Sequence, residues 1–115
     1  MTMRLPKSEA IYQQAIKDKT LIPLYDEDAV YDFKYWKIVE NRFKHDKFAT
    51  TNHMIVLKRE AAGLKEIKPL EWLELMKIVI EVRNLYDSFM YNFPNMSSIK
   101  NIPHAHLYKV RKEYK

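Results

Sequence analysis

The run His53-Met54-Ile55-Val56-Leu57, closed by Lys58-Arg59-Glu60, is the segment that most narrows the possible folds. A strand with one wet face alternates apolar and polar residues, whereas an unbroken apolar run of this length suits a strand covered on both faces. It therefore belongs in the middle of a sheet, with neighbours on both sides. The first neighbours lie upstream, where Ala29 to Val39 clusters β-branched and aromatic residues (Val30, Tyr31, Phe33, Tyr35, Trp36, Ile38, Val39) and reads as a hairpin turning near Phe33-Lys34. Downstream, Phe89 to Phe93 and Pro103 to Arg111 read as two further strands joined by Pro94-Asn95-Met96-Ser97-Ser98.

Two helices complete the order. Ser8 is placed to cap a short helix running to about Asp18, with Ile11, Ala15 and Ile16 as its inner stripe. Pro69 suits the first position of a long helix, and Trp72, Leu75, Met76, Val79, Val82 and Tyr86 recur at helical spacing to about Asp87. The order α, β, β, β, α, β, β predicts an α+β fold with a mostly antiparallel sheet of about five strands, one long helix packed on it, and a short N-terminal helix. All 115 residues form one domain on this reading, with residues 1–29 as an N-terminal extension.

Composition removes whole classes of chemistry. The chain has no cysteine, which excludes disulfides, thiolate metal sites and a thiol nucleophile and points to a reducing, cytoplasmic location. Its single glycine, Gly63, rules out the glycine-rich loops GxxxxGK[ST] and GxGxxG. The apolar runs are too short and too often broken by Lys or Glu to suggest a membrane span. A net charge of +5 favours anionic partners, nucleotides or nucleic acid, without any dominant basic block.

The histidines carry the strongest chemical signal. Side chains alternate along a strand, so His104, His106 and Tyr108 project from one face and Ala105 and Leu107 from the other. This spacing is compatible with an exposed polar strand face, with a zinc site completed by His53, or with a catalytic row; no ligand-spaced carboxylate accompanies the histidines, and neither metal nor cofactor is expected.

Two separated segments resemble the histidine triad (HIT) family of nucleotide hydrolases and transferases. Tyr35 to Phe43, followed by His53 to Glu60, resembles the family's hairpin, nucleotide loop and "His, apolar strand, Pro-Lys-Arg-His" segment, and Lys68 to Leu75 resembles the start of its long helix. His104-Ala105-His106-Leu107-Tyr108 stands in the place of the terminal His-x-His-x-His signature. The resemblance covers roughly residues 30 to 111. It implies a HIT-like fold and hydrolysis or transfer at a nucleoside phosphate or dinucleoside polyphosphate such as diadenosine tetraphosphate. His106 would be the nucleophile that forms a covalent nucleotidyl-histidine, with His104 supporting it and His53 near the catalytic row. Tyr108 departs from the pattern, because it replaces a histidine that can be cationic with a phenol that can only donate a hydrogen bond at neutral pH. By the same resemblance Asn41, Arg42 and Phe43 would hold base and ribose, and Ser98 or Asn101 would take the place of a family serine near phosphate. A homodimer is also implied. The alternative is a noncatalytic HIT-like domain that binds nucleotide or, less favoured, RNA.

Overall fold

In the computed structural model, which describes residues 3–92 and 101–115, the apolar run is the core of a nine-residue strand at the centre of a five-stranded antiparallel sheet. The strands are β1 (Ala29–Asp32), β2 (Trp36–Glu40), β3 (Ala49–Leu57), β4 (Ser88–Met90) and β5 (His104–Val110), ordered β1-β2-β3-β5-β4. Helix α1 (Pro6–Lys17) precedes the sheet and helix α2 (Pro69–Val82) connects β3 to β4. The α+β class, the hairpin and the central strand all match the pattern expected from the sequence.

One sheet face is sealed by α2. Trp36 and Ile38 of β2, Ile55 and Leu57 of β3 and Leu107 of β5 pack against Leu75, Ile78 and Val82 of the helix, all nearly or fully out of solvent. The helix begins where expected because Pro69 needs no N–H partner in the first turn and the Glu71 carboxylate accepts the Lys68 N–H at 2.8 Å. Glu71 is itself buried, and Arg59 donates to it through Nε (2.9 Å) and Nη2 (2.7 Å), a bidentate pair that compensates its desolvation. The helix ends at Val82 rather than near Asp87, because the Asp87 N–H bonds the Tyr108 carbonyl at 2.7 Å and draws the chain into the sheet. The strand expected over 89–93 is β4, Ser88–Met90, and Phe93 lies outside the described residues.

The opposite face is covered by the N-terminal segment. Helix α1 starts at Pro6, and Ser8 does not cap it: the Ser8 hydroxyl donates to Asp46, and the other Asp46 oxygen accepts the Leu5 N–H at 2.8 Å. A carboxylate from the β2–β3 loop thus does the work of a cap. The inner face of α1 is also not the expected aliphatic stripe, since Ile11 and Ile16 are exposed and Tyr12 is the buried residue. The amphipathic Tyr12 docks against Phe43, ring centroids 5.2 Å apart, with the Arg4 guanidinium 4.0 Å over its ring. Among the described residues no helix is long and apolar enough to cross a membrane.

Candidate functional site

Strand pairing decides which side chains share the covered face. In β3 and β5, Met54 pairs with His106, Val56 with His104 and Asn52 with Tyr108, so these side chains lie together, while His53 pairs with Leu107 on the α2 face. His53 is therefore separated from His104 and His106 by the thickness of the sheet. Its Nδ1 lies 2.6 Å from the Tyr86 hydroxyl beyond α2, and burial lowers its pKa. The expected placement of His53 beside the catalytic row is off by one residue: Asn52 holds that position. This also separates the three histidines considered for zinc, and no metal-binding cluster occurs among the described residues.

Between the histidine face and the N-terminal segment lies a cavity of about 570 Å³. Its floor carries His104, His106 and Met54; its rim carries Asn41, Arg42, Phe43 and His45 from the β2–β3 loop; its roof carries Arg4, Tyr12 and residues 21–24. Of the residues expected to contact nucleotide, Asn41, Arg42 and Phe43 do border this cavity. Asn101 is exposed, with a left-handed φ of 62° and its carbonyl accepting the Ala61 N–H at 2.9 Å; it does not border the cavity. Ser98 lies outside the described residues.

The protonation of the two floor histidines follows from backbone groups whose roles are unambiguous. Phe43 N–H donates to Asn41 Oδ1 at 2.9 Å, which makes Asn41 Nδ2 the donor to Asn52 Oδ1 at 2.8 Å. His45 N–H donates to the same Asn52 oxygen at 3.1 Å, and Asn52 Nδ2 donates to the His53 carbonyl at 3.1 Å. With its amide fixed in this way, Asn52 can only donate to His106 Nδ1, 3.1 Å away. His106 consequently carries its proton on Nε2. His104 is the reverse: its Nδ1 lies 2.9 Å from the Ile102 carbonyl, which can only accept, so Nδ1 is protonated and Nε2 keeps its lone pair.

Both rings remain neutral near pH 7. Burial pushes His106 down to about 2, aided by His45, His104 and Arg4, and burial also lowers His104 against the opposing effect of the Ile102 carbonyl. The rings meet edge-on with centroids 5.4 Å apart. One presents an acceptor and the other a donor, a pair suited to attack on an electrophile and to hydrogen bonding of the oxygen bound to it.

Tyr108 is in line with His104 and His106, as alternation requires, but it is 1% exposed and does not border the cavity. Its ring stacks parallel to His106 (interplanar angle 4°, centroids 5.6 Å apart), and its hydroxyl lies 2.8 Å from Nδ1 of His45. Asn52, His45, Arg4 and Tyr12 are the site residues not singled out from the sequence. A histidine in the polar loop ahead of the central strand was the available signal for one of them.

Both cavity guanidiniums have carboxylate partners, Arg4 with Glu9 at 3.4 Å and Arg42 with Glu27 at 2.9 Å. Compared with family models, curated proteins and solved structures, the chain shows no match.

Proposed function

We propose that the protein is a HIT-type nucleotide phosphohydrolase or nucleotidyl transferase whose histidine pair works on a phosphoanhydride. The observation that supports this most is the complementary pair of free ring edges, His104 Nε2 as acceptor and His106 Nε2–H as donor, at the floor of a nucleotide-sized cavity. The geometry favours exchanging the roles that the family resemblance implies. His104 Nε2 attacks the α-phosphorus; a P–N bond forms as the P–O bond to the leaving group breaks, and water then cleaves the P–N bond. His106 hydrogen-bonds a phosphoryl oxygen without giving up its proton, because a neutral imidazole is far too weak an acid. For His106 to attack instead, its proton would have to move to Nδ1 and break the bond from Asn52.

The neutral site also restricts the leaving group. Burial lowers the pKa of His45, His104 and His106 alike, so the unliganded site holds no ready imidazolium to protonate a departing alkoxide or amine. A phosphate or nucleotide leaves as a stable anion and needs no such acid, which favours nucleoside polyphosphates and dinucleoside polyphosphates over phosphoramidates. The test is product analysis with diadenosine tetraphosphate, ATP and an adenosine phosphoramidate, alongside mass spectrometry of acid-sensitive adducts. The anhydrides should be cleaved, His104→Ala should lose turnover and adduct together, and cleavage unaffected by His104→Ala would refute the mechanism.

A second reading, a noncatalytic nucleotide-binding domain, draws on the paired state of Arg4 and Arg42, which leaves little positive charge for a phosphoryl transition state. Calorimetric binding of nucleotide with no product from any substrate would select it. Absence of both binding and turnover would remove both readings.

A further inference from the structure

We infer that His45, oriented by Tyr108, supplies a third imidazole to the site and donates a hydrogen bond from Nε2 to the ligand group held by His104 and His106. The inference rests on the nucleotide reading above and concerns a residue on a loop, outside the strand signature that drew attention to the site. His45 borders the cavity, and its ring lies 4.6 Å from that of His106 at 30°. Two contacts set its position: its N–H bonds Asn52 Oδ1 at 3.1 Å, and its Nδ1 faces the Tyr108 hydroxyl at 2.8 Å. The same asparagine therefore fixes the backbone of one histidine and the tautomer of the other.

The direction of the Tyr108 bond follows from the alternatives open to one phenolic proton. Its second neighbour is Met3 Sδ at 4.0 Å, a weak thioether acceptor, so the proton goes to the imidazole nitrogen. His45 Nδ1 is then an acceptor and Nε2 carries the hydrogen. The phenol does not ionise, since burial raises its pKa, and His45 does not become cationic, since burial pushes it down to about 4, with Arg4 and His104 lowering it and Glu9 and Asp46 acting the other way. Phe48, packed on the Tyr108 ring with centroids 4.7 Å apart, holds the phenol in place. A tyrosine where a third histidine would stand thus removes no imidazole from the cavity: it positions one from the loop, as a neutral donor.

The experiment combines nitrogen-15 NMR of the histidine rings in the ligand-free protein with diadenosine tetraphosphate kinetics. His45 should show Nε2–H in the native protein and lose that preference in Tyr108→Phe, which keeps the stacked ring and removes only the hydroxyl. His45→Leu should lower kcat about 10- to 100-fold, the range for removing a hydrogen bond to a charged group. His45→Gln, which retains an N–H donor, should recover part of that loss. An Nδ1–H tautomer in the native protein overturns the inference, as does equal activity of His45→Leu and native protein. A native protein that neither binds nor cleaves the nucleotide overturns the functional reading and the ligand contact of His45 together, and is recognised because it does so before any substitution is made.

Discussion

The two faces of the central strand β3 obey different rules. On the α2 face, Ile55 and Leu57 meet Trp36, Ile38, Leu107 and the helix in a packed, dry layer. On the other face of the same strand, Asn52 and Met54 meet His106 and a cavity, and the covering segment is held by a smaller apolar cluster of Leu24 with Val39, Met54, Val56 and Ile102 together with polar clasps at its edges. One strand thus carries a stability face and a chemical face. The division depends only on alternation, so a shift of one residue exchanges histidine for asparagine at the site.

Breaking the dry face should have the largest effect. Trp36 is fully buried and its Nε1–H donates to the Glu71 carbonyl at 2.7 Å; Trp36→Ala should destabilise by about 3–5 kcal/mol in urea unfolding, a large part of a small domain's stability. Leu24→Ala, in the smaller apolar cluster on the cavity side, should cost less, about 2–3 kcal/mol, and a loss there equal to that of Trp36→Ala would contradict the contrast between the faces.

The clasp that holds the N-terminal segment should respond to substitution and to acid. Asp46→Ala removes the acceptor for Leu5 and Ser8 and should cost about 1 kcal/mol, the usual worth of a helix cap, while increasing protease cleavage within residues 3–27 before the sheet unfolds. For Asp46, burial acts to raise the pKa, but the bonds from Ser8 and Leu5 outweigh it and the value lies below the ordinary 3.8. Its contribution is therefore complete above that pH and is lost as the pH falls through the lower folded value.

The histidines add an acid dependence at higher pH. His45 has an ordinary value of 6.5 and a folded value of about 4, so the unfolded chain takes up a proton in that interval that the folded chain does not. Stability should fall as the pH drops from 6.5 towards 4, and His45→Gln should flatten that slope in thermal melts at stepped pH. The smallest effect belongs to the rim: Arg42 is half exposed in its pair with Glu27, and Arg42→Ala should change stability by less than about 1 kcal/mol.

Most of the architecture could be read from the chain because each strand and helix carries its own periodicity. Residues 53–57 announced a central strand, Pro69 the start of α2, and His104 to Tyr108 the alternation that puts two imidazoles on one face. Register is different in kind, because nothing within β3 or β5 alone says that Met54 rather than His53 pairs with His106. The N-terminal cover was equally hard to foresee. Its helix turns Tyr12 inward and leaves Ile11 and Ile16 exposed, since its partners are Phe43, Arg4 and Asp46 rather than an aliphatic core. The loop that carries His45 has no periodicity of its own; Lys47 N–H to the Met3 carbonyl and the bonds to Asn52 set its course.

His104 and His106 are neutral and carry their protons on opposite nitrogens, imposed by the Ile102 carbonyl and the Asn52 amide. Nitrogen-15 spectra of the histidine rings at pH 7 test it directly, with Asn52→Asp as the control that replaces a donor by an acceptor. The spectra should show Nδ1–H for His104, Nε2–H for His106, and a move of the His106 proton to Nδ1 in Asn52→Asp. The same tautomer on both rings of the native protein, or a His106 that Asn52→Asp leaves unchanged, would contradict it.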